Sequence, residues 1–203
     1  MSKDRLYIFD TTLRDGAQTQ GVDFSVEDKE KIASALDNLG VDYIEGGWPG
    51  ANPTDTEFFQ KNHKYRNAKL TSFGMTKRSG RSADNDTGLS ALLNANTPAV
   101  CLVGKSWDFH VDIALDISNE ENLENIKESA KHFVKANKEF MFDAEHFFDG
   151  YKANSNYAVE CIKTAYDQGA RWVVLCDTNG GTLPHEIKKI VSEVAKVIPG
   201  NNL

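Results

Sequence analysis

The chain has 203 residues, 23 Lys and Arg against 30 Asp and Glu, a formal net charge of −7 and 40% apolar residues. That mix supports a buried core and excludes disorder, collagen and a disulfide-stapled mini-protein. An acidic chain with scattered Lys and Arg carries no electrostatic footprint for nucleic acid or an anionic membrane, so neither is expected as a partner.

The opening Met1-Ser2-Lys3-Asp4-Arg5 leads into four apolar residues, Leu6 to Phe9, too short a run for a signal peptide. Leu6–Phe9 reads instead as a strand buried on both faces and ending at Asp10. Ser25-Val26-Glu27-Asp28 has the spacing of a capping box and predicts a helix. Its apolar face would carry Ile32, Leu36 and Leu39, and Gly40 would stop it. Val41 to Glu45 reads as a second strand, Thr54 to Tyr65 as a helix, and Lys69 to Met75 as a third strand. A weaker helix follows over about Ala83 to Asn94, then a strand over Ala99 to Gly104. Ser118 to Glu121 is a further capping box, opening an amphipathic helix with Leu123, Ile126, Ala130, Phe133 and Val134. Glu139–Ala144 reads as a strand, Asn154–Gly169 as a helix and Arg171–Cys176 as a strand. The last predicted helix begins at Pro184 and is lined by Ile187, Ile190, Val191, Val194 and Ile198.

Strict alternation of strand and helix means a parallel sheet, because each crossover helix returns the chain across it. Two architectures remain, an open doubly wound sheet and a (β/α)₈ barrel. The loop after the first strand reads Thr11-Thr12-Leu13-Arg14-Asp15-Gly16 rather than the Gly-x-Gly-x-x-Gly of a dinucleotide binder. A barrel needs eight units, so six βα units predict a TIM barrel truncated before strands seven and eight. Such a piece would expose two unpaired edge strands.

Barrel chemistry sits at the C-terminal ends of the strands. Those ends carry Asp10, Arg14 and Asp15, then Glu45 with Gly46-Gly47-Trp48-Pro49-Gly50, then Lys105-Ser106-Trp107-Asp108. The fifth strand ends in Asp143-Ala144-Glu145-His146 and the sixth in Asp177-Thr178-Asn179-Gly180-Gly181. Asp177 and Asn179 read equally well as helix caps or as functional groups. An Arg beside two carboxylates is costly to desolvate unless it is paired or holds a ligand, so Arg14, Asp15 and Glu45 point to an anionic substrate. Their oxygen donors suit Mg²⁺ or Mn²⁺. Of the histidines, His63, His110, His132 and His185 have no paired ligand spacing, and His146 beside Glu145 is the better placed. Cys101, Cys161 and Cys176 show no Cys-x-x-Cys spacing and read as buried free thiols, which places the chain in the cytoplasm.

Asp10-Thr11-Thr12-Leu13-Arg14-Asp15-Gly16 resembles the opening signature of the DRE-TIM metallolyases. That superfamily holds the isopropylmalate, homocitrate and citramalate synthases and hydroxymethylglutaryl-CoA lyase. The resemblance continues in Tyr43–Gly50, Gly104–His110, Asp143–Gly150 and Cys176–Gly181, and the Gly-Gly-Trp-Pro-Gly and Gly-Lys-Ser-Trp-Asp stretches look like the citramalate synthase branch. It implies that residues 1–203 are the N-terminal part of a catalytic TIM-barrel domain of the pyruvate carboxyltransferase (HMGL-like) type. It implies a divalent metal (Mg²⁺ or Mn²⁺, with Zn²⁺ as an alternative) and acetyl-CoA as co-substrate to a 2-oxo acid, pyruvate in the citramalate branch. It also implies a homodimer in the full-length protein and a place in branched-chain amino-acid biosynthesis. By the same resemblance Asp15 matches a metal ligand, Arg14 the residue that stabilises oxyanion charge, and Glu45 its holder. Thr178 matches the group that binds the oxo-acid carboxylate, and Glu145 a member of the acid–base network. The family's other ligands, a His-x-His pair, would lie beyond residue 203, as would the helical linker and C-terminal regulatory domain. Negligible turnover is expected of the 203 residues alone. Isopropylmalate or homocitrate synthesis, a carbon–carbon lyase and a non-catalytic partial barrel remain as other readings.

Overall fold

The computed structural model describes residues 5–203, so the charged opening Met1-Ser2-Lys3-Asp4 lies outside the described residues. Six strands follow one another in a single sheet in chain order: β1 (Phe9–Asp10), β2 (Tyr43–Gly47), β3 (Lys69–Met75), β4 (Ala99–Lys105), β5 (Glu139–Glu145) and β6 (Trp172–Leu175). A doubly wound sheet reverses its strand order at a switch point. An order without reversal is the strand order of a (β/α)₈ barrel.

The helices are α1 (Val26–Leu39), α2 (Pro53–Gln60), α3 (Thr87–Asn94), α4 (Asp108–His110), α5 (Asn119–Lys135), α6 (Phe147–Ala153), α7 (Ser155–Asp167) and α8 (Pro184–Val194). A π-helical turn over Val111–Leu115 continues α4. Neither α4, this turn nor α6 is signalled by apolar periodicity, because all three are short and sit between a strand and its crossover helix.

The chain divides into two compact units. The first runs to Gly74 and takes in Ala91–Val100; the second comprises Met75–Ser90 and Cys101–Leu203. In the first, β1 pairs with β2 in parallel (Phe9 with Tyr43) and β2 with β3 (Tyr43 with Lys69), with a bulge between Glu45 and Gly47. Its core gathers Leu13, Ala33, Val41, Ile44, Phe58, Phe59, Leu70 and Ala95. The capping box at Ser25 forms as expected, and Gly40 ends α1 in the left-handed region at φ 90°. In the second unit β5 and β6 pair in parallel register, Met141 with Trp172 through Ala144 with Leu175. Phe133 and Phe140 stack there, and Phe142, Phe147 and Ile126 are wholly buried.

Three expectations are corrected. Leu6, Tyr7 and Ile8 are not a strand buried on both faces: they are exposed (84% for Leu6), because β1 is the sheet edge and its ladder is only two residues long. Of the stripe expected on α1, Ile32 and Leu36 are partly buried and pack against the core, whereas Leu39 is left outside it. Leu39 is 77% exposed, and Lys29, Ala33 and Asp37 are the buried positions. Asp37 belongs inside because its carboxylate accepts from three backbone N–H groups, Arg66, Asn67 and Ala68, at 2.7–3.0 Å. The helix expected over Thr54–Tyr65 stops at Gln60, where the ring of His63 takes up the Phe58 carbonyl at 2.7 Å and stacks on the Phe58 ring.

Candidate active site

The loop after β1 folds about one carbonyl. Thr11 O accepts from the backbone N–H groups of Arg14, Asp15 and Gly16 at 2.9–3.1 Å, and Asp10 Oδ1 accepts from Thr12 N–H at 2.9 Å. This turn drops Leu13 into the core, where full burial contributes about 1.5–3 kcal/mol, and leaves Arg14 and Asp15 on its outer side. Arg14 donates from Nε to Glu45 Oε2 at 2.6 Å and from Nη1 to Asp15 Oδ1 at 3.2 Å. Its guanidinium lies 3.9 Å from the centre of the Phe73 ring, which is edge-on to Trp48. Two carboxylates and one aromatic face thus fix the plane of the cation. The bulge at Glu45–Gly47 lies where such irregularities re-aim side chains at strand ends.

Lys29, 3% exposed, reaches the backbone next to each member of the pair. Its ammonium donates to Leu13 O at 2.9 Å, to Gly46 O at 3.0 Å and to the Asp55 carboxylate, so all three of its donors are engaged. Asp55 also accepts from Trp48 N–H and from Asn52, the cap of α2. Gly47 has φ 140°, and a Cβ there would come within 2.5 Å of the Asp55 carboxyl carbon, so glycine is required. No motif pointed to Lys29. Its one signal was position, since residues 29, 33 and 37 recur at i, i+4 and i+8 and so share a helical face.

In the second unit Lys105 pairs with Glu145, and Ser106 donates from Oγ to the Glu145 carbonyl at 2.7 Å. Gly150 lets α6 lie against this loop, because a Cβ there would sit 2.5 Å from Ser106 O. His146 stands in the left-handed region at φ 53°. Its N–H donates to Thr178 Oγ1 at 2.9 Å and its Nδ1 lies 3.1 Å from Asp149 Oδ2, an oxygen that also accepts from Asn179 Nδ2 at 2.9 Å. The His110 ring meets the His146 ring edge-on at 4.5 Å and packs on Trp107 at 4.7 Å. Burial pushes the His110 imidazole below its ordinary pKa; His146 and Lys105 add to this, and Glu145 and Asp149 oppose it.

The sequence-predicted residues therefore fall into two groups: Arg14, Asp15 and Glu45 in the first unit, and Glu145 and Thr178 in the second. Of the two ambiguous residues, Asp177 serves as a turn cap, accepting from the Thr182 N–H at 3.1 Å and hydroxyl at 2.9 Å, whereas Asn179 braces Asp149. Asp149 was missed, although its i+3 spacing from His146 was there to be read. Asp15 tests the fit to a divalent cation. Its side chain is 63% exposed and offers hard carboxylate oxygens of the kind Mg²⁺ and Mn²⁺ take, so it suits one ligand position.

The sequence profile of the HMGL-like family matches residues 5–203. The chain belongs to the HMGL-like family. It is 54% identical over 193 residues to the (R)-citramalate synthase of Aquifex aeolicus and 52% identical over 194 residues to that of Geobacter sulfurreducens, covering 94% of this chain in each case. It is 34% identical over 196 residues, 96% of its length, to the 2-isopropylmalate synthase of Sediminispirochaeta smaragdinae. The chain spans 37% of the length of each of these synthases. Among solved structures, the HMG-CoA lyase of Bacillus subtilis superposes with a TM-score of 0.81 over 98% of this chain and 67% of that one, at 18% identity, a likeness of fold. Among the described residues no helix is long and apolar enough to cross a membrane.

Proposed function

We propose that residues 1–203 are the N-terminal part of the catalytic barrel of a citramalate-type synthase, which condenses acetyl-CoA with pyruvate and hydrolyses the thioester to release coenzyme A. The fixed Arg14 cation, clamped by Glu45 and Asp15 over Phe73, is the observation that supports this most. Similarity to citramalate synthases at 45–54% identity supports the choice of branch, against 34% for an isopropylmalate synthase.

A planar guanidinium held in one orientation before the reaction suits an oxyanion that develops during it, since no reorganisation is then needed. Glu45 supplies that orientation from full burial. Asp15 would hold the divalent metal, which when bound supplies Lewis-acid polarisation of a keto oxygen. In the second group Thr178 accepts from His146 N–H and retains its own hydroxyl proton to donate to a carboxylate. Lys105 orients Glu145 for the acid–base network. The full-length protein is read as a cytoplasmic homodimer.

The test is thiol release by the full-length protein from acetyl-CoA with pyruvate, compared with 2-oxoisovalerate, with Mg²⁺ or Mn²⁺ present. Release that prefers pyruvate, together with a loss of about 10²–10³ in kcat on Arg14→Gln, is the expected result. Preference for the branched acid would place the protein with the isopropylmalate synthases. Cleavage of hydroxymethylglutaryl-CoA without condensation would make it a lyase, and oxo-acid binding without thiol release a binding module.

A further inference from the structure

A lysine is costly to bury, because its ammonium must exchange hydrogen bonds to water for as many inside the protein. Among the described residues no lysine or arginine is more deeply buried than Lys29. What this ammonium holds is therefore informative, and it holds the backbone on both sides of the Arg14–Glu45 contact.

The first tether lies in the loop after β1. The peptide between Leu13 and Arg14 gives its carbonyl to Lys29 Nζ at 2.9 Å and donates its N–H to Thr11 O at 3.1 Å. The plane from which the Arg14 side chain departs is thereby fixed at both ends. The second tether lies at the end of β2. Pairing with β3 passes from Glu45–Thr71 to Gly47–Ser72, which makes Gly46 the extra residue of the bulge. A bulge leaves its extra residue out of the ladder, and Lys29 donates to the Gly46 carbonyl at 3.0 Å, one residue beyond Glu45. The third runs through Asp55, which takes the remaining proton of Lys29 and accepts from Trp48 N–H at 2.8 Å. The Trp48 ring stands edge-on to Phe73, and Phe73 is the face on which the Arg14 guanidinium lies. One buried ammonium thus ties down the three parts that meet at Arg14: its own backbone, the strand end that carries Glu45 and the aromatic platform.

We propose that Lys29 is a positioning residue for the reaction, holding the Arg14 guanidinium in the orientation in which it meets developing oxyanion charge. The proposal deepens the synthase reading above and rests on it. The three donors of Lys29 are all engaged inside the protein, so it acts through Arg14 and not on a reacting group. A donor helps an oxyanion only where it already points, and a displacement of about 1 Å costs on the order of 10²-fold in rate. An ammonium suits this task because its donors reach three acceptors arranged round a point, which neither a planar guanidinium nor an amide matches.

The test uses the full-length protein and reads thiol release from acetyl-CoA and pyruvate beside the urea unfolding of each variant. Lys29→Met is expected to lower kcat by about 10-fold or more in the folded protein. The KM for pyruvate should stay within about threefold, the pattern of an interaction made only in the transition state. Two comparisons separate positioning from a merely structural role. In an Arg14→Gln background Lys29→Met should change kcat by less than about twofold, because a residue acting through Arg14 has nothing left to act on. Lys29→Met combined with Asp55→Leu strands no charge, so it should regain much of the lost stability while kcat stays low. This pair variant stands in wherever Lys29→Met alone does not fold. Lys31→Met, which removes an exposed pair with Glu27 on the same helix, should keep the wild-type kcat. An active wild type whose folded Lys29→Met variant keeps its kcat, or raises KM alone, overturns the proposal and leaves the synthase reading intact. So do equal losses with and without Arg14, a like loss in Lys31→Met, and a pair variant that regains kcat with its stability. A pair variant that does not fold overturns it too, since the tethers would then serve the fold alone. A wild type that releases no thiol with any oxo acid overturns both.

Discussion

At the end of β2 Glu45 is wholly buried against an Arg14 side chain only 17% exposed, whereas at the end of β5 the Lys105–Glu145 pair keeps 18% and 27% of its side chains exposed. The first group contains no histidine and stands on a second buried pair, Lys29–Asp55. The second group is built round the paired rings of His110 and His146. Desolvated ion pairs are held at fixed charge, because losing one partner strands the other in a medium that cannot solvate it. The His110 imidazole, which burial and its neighbours hold below the ordinary histidine value, is not bound to one charge in this way. The two strand ends therefore differ in kind: one is a buried set of paired charges, and the other gathers imidazoles beside partly exposed charges.

The largest expected effect comes from removing the foundation of the first group. Lys29→Met keeps most of the volume but leaves Asp55 as a buried charge and strips a donor from the carbonyls of Leu13 and Gly46. Breaking one side of a buried pair typically costs about 3–5 kcal/mol, and urea unfolding should show a loss of that order. Lys29→Arg should not rescue it, since a planar fork does not match three acceptors arranged round a point ammonium. A loss below about 1 kcal/mol, the range of a surface pair, would mean that the first group is as wet as the second and would break the comparison.

A smaller loss is expected in the second unit from Gly150→Ala. The added methyl would sit 2.5 Å from Ser106 O and 2.9 Å from Trp107 Cα, both backbone atoms, so α6 or the β4 loop must shift. Overpacking of this kind costs about 1–3 kcal/mol. Because α6 carries Asp149 and the loop carries Ser106 against Glu145, the His146 ring should lose its contact with Asp149 along with the stability. The ¹⁵N shifts of the His146 ring would report it.

How far the sequence foretold these two groups follows from what each depends on. Arg14, Asp15 and Glu45 were legible because a charged cluster at a strand end is chemically expensive and hence informative. Lys29 was not, since a lysine on a helix reads by default as solvated and only three particular acceptors make its burial tolerable. Asp37 was hidden for the same reason: its burial is supported by backbone N–H groups of residues 66–68, which no local pattern announces. Burial alone would raise the Asp37 pKa, and those three donors outweigh it and hold the carboxyl below the usual aspartate range. The strand alternation gave the parallel sheet, but the weight placed on Leu6–Phe9 was wrong, because apolar content does not tell an edge strand from a central one. His146 was singled out by its neighbour Glu145, while its left-handed backbone, set by Thr178, carries no glycine or asparagine signature.

The smallest effect is the most direct measure of the difference between the groups. Burial first, then His146 and Lys105, hold the His110 imidazole below its ordinary pKa, against the pull of Glu145 and Asp149. A histidine whose folded pKa is depressed binds fewer protons folded than unfolded in the window between the two values. Stability should therefore rise with pH across that window, be fully present above the unfolded value near 6.5, and be lost as pH falls through the folded one. His146→Gln removes the largest of the charge contributions that lower it, so the His110 titration followed by ¹H–¹⁵N NMR should move up toward the ordinary value. Lys105→Met should move it in the same direction by less, and Asp149→Asn should move it the other way. A His110 titration indifferent to all three would mean that desolvation alone sets it. The second group would then be no more coupled in its charges than two isolated imidazoles, and the contrast between the strand ends would rest on the buried group only.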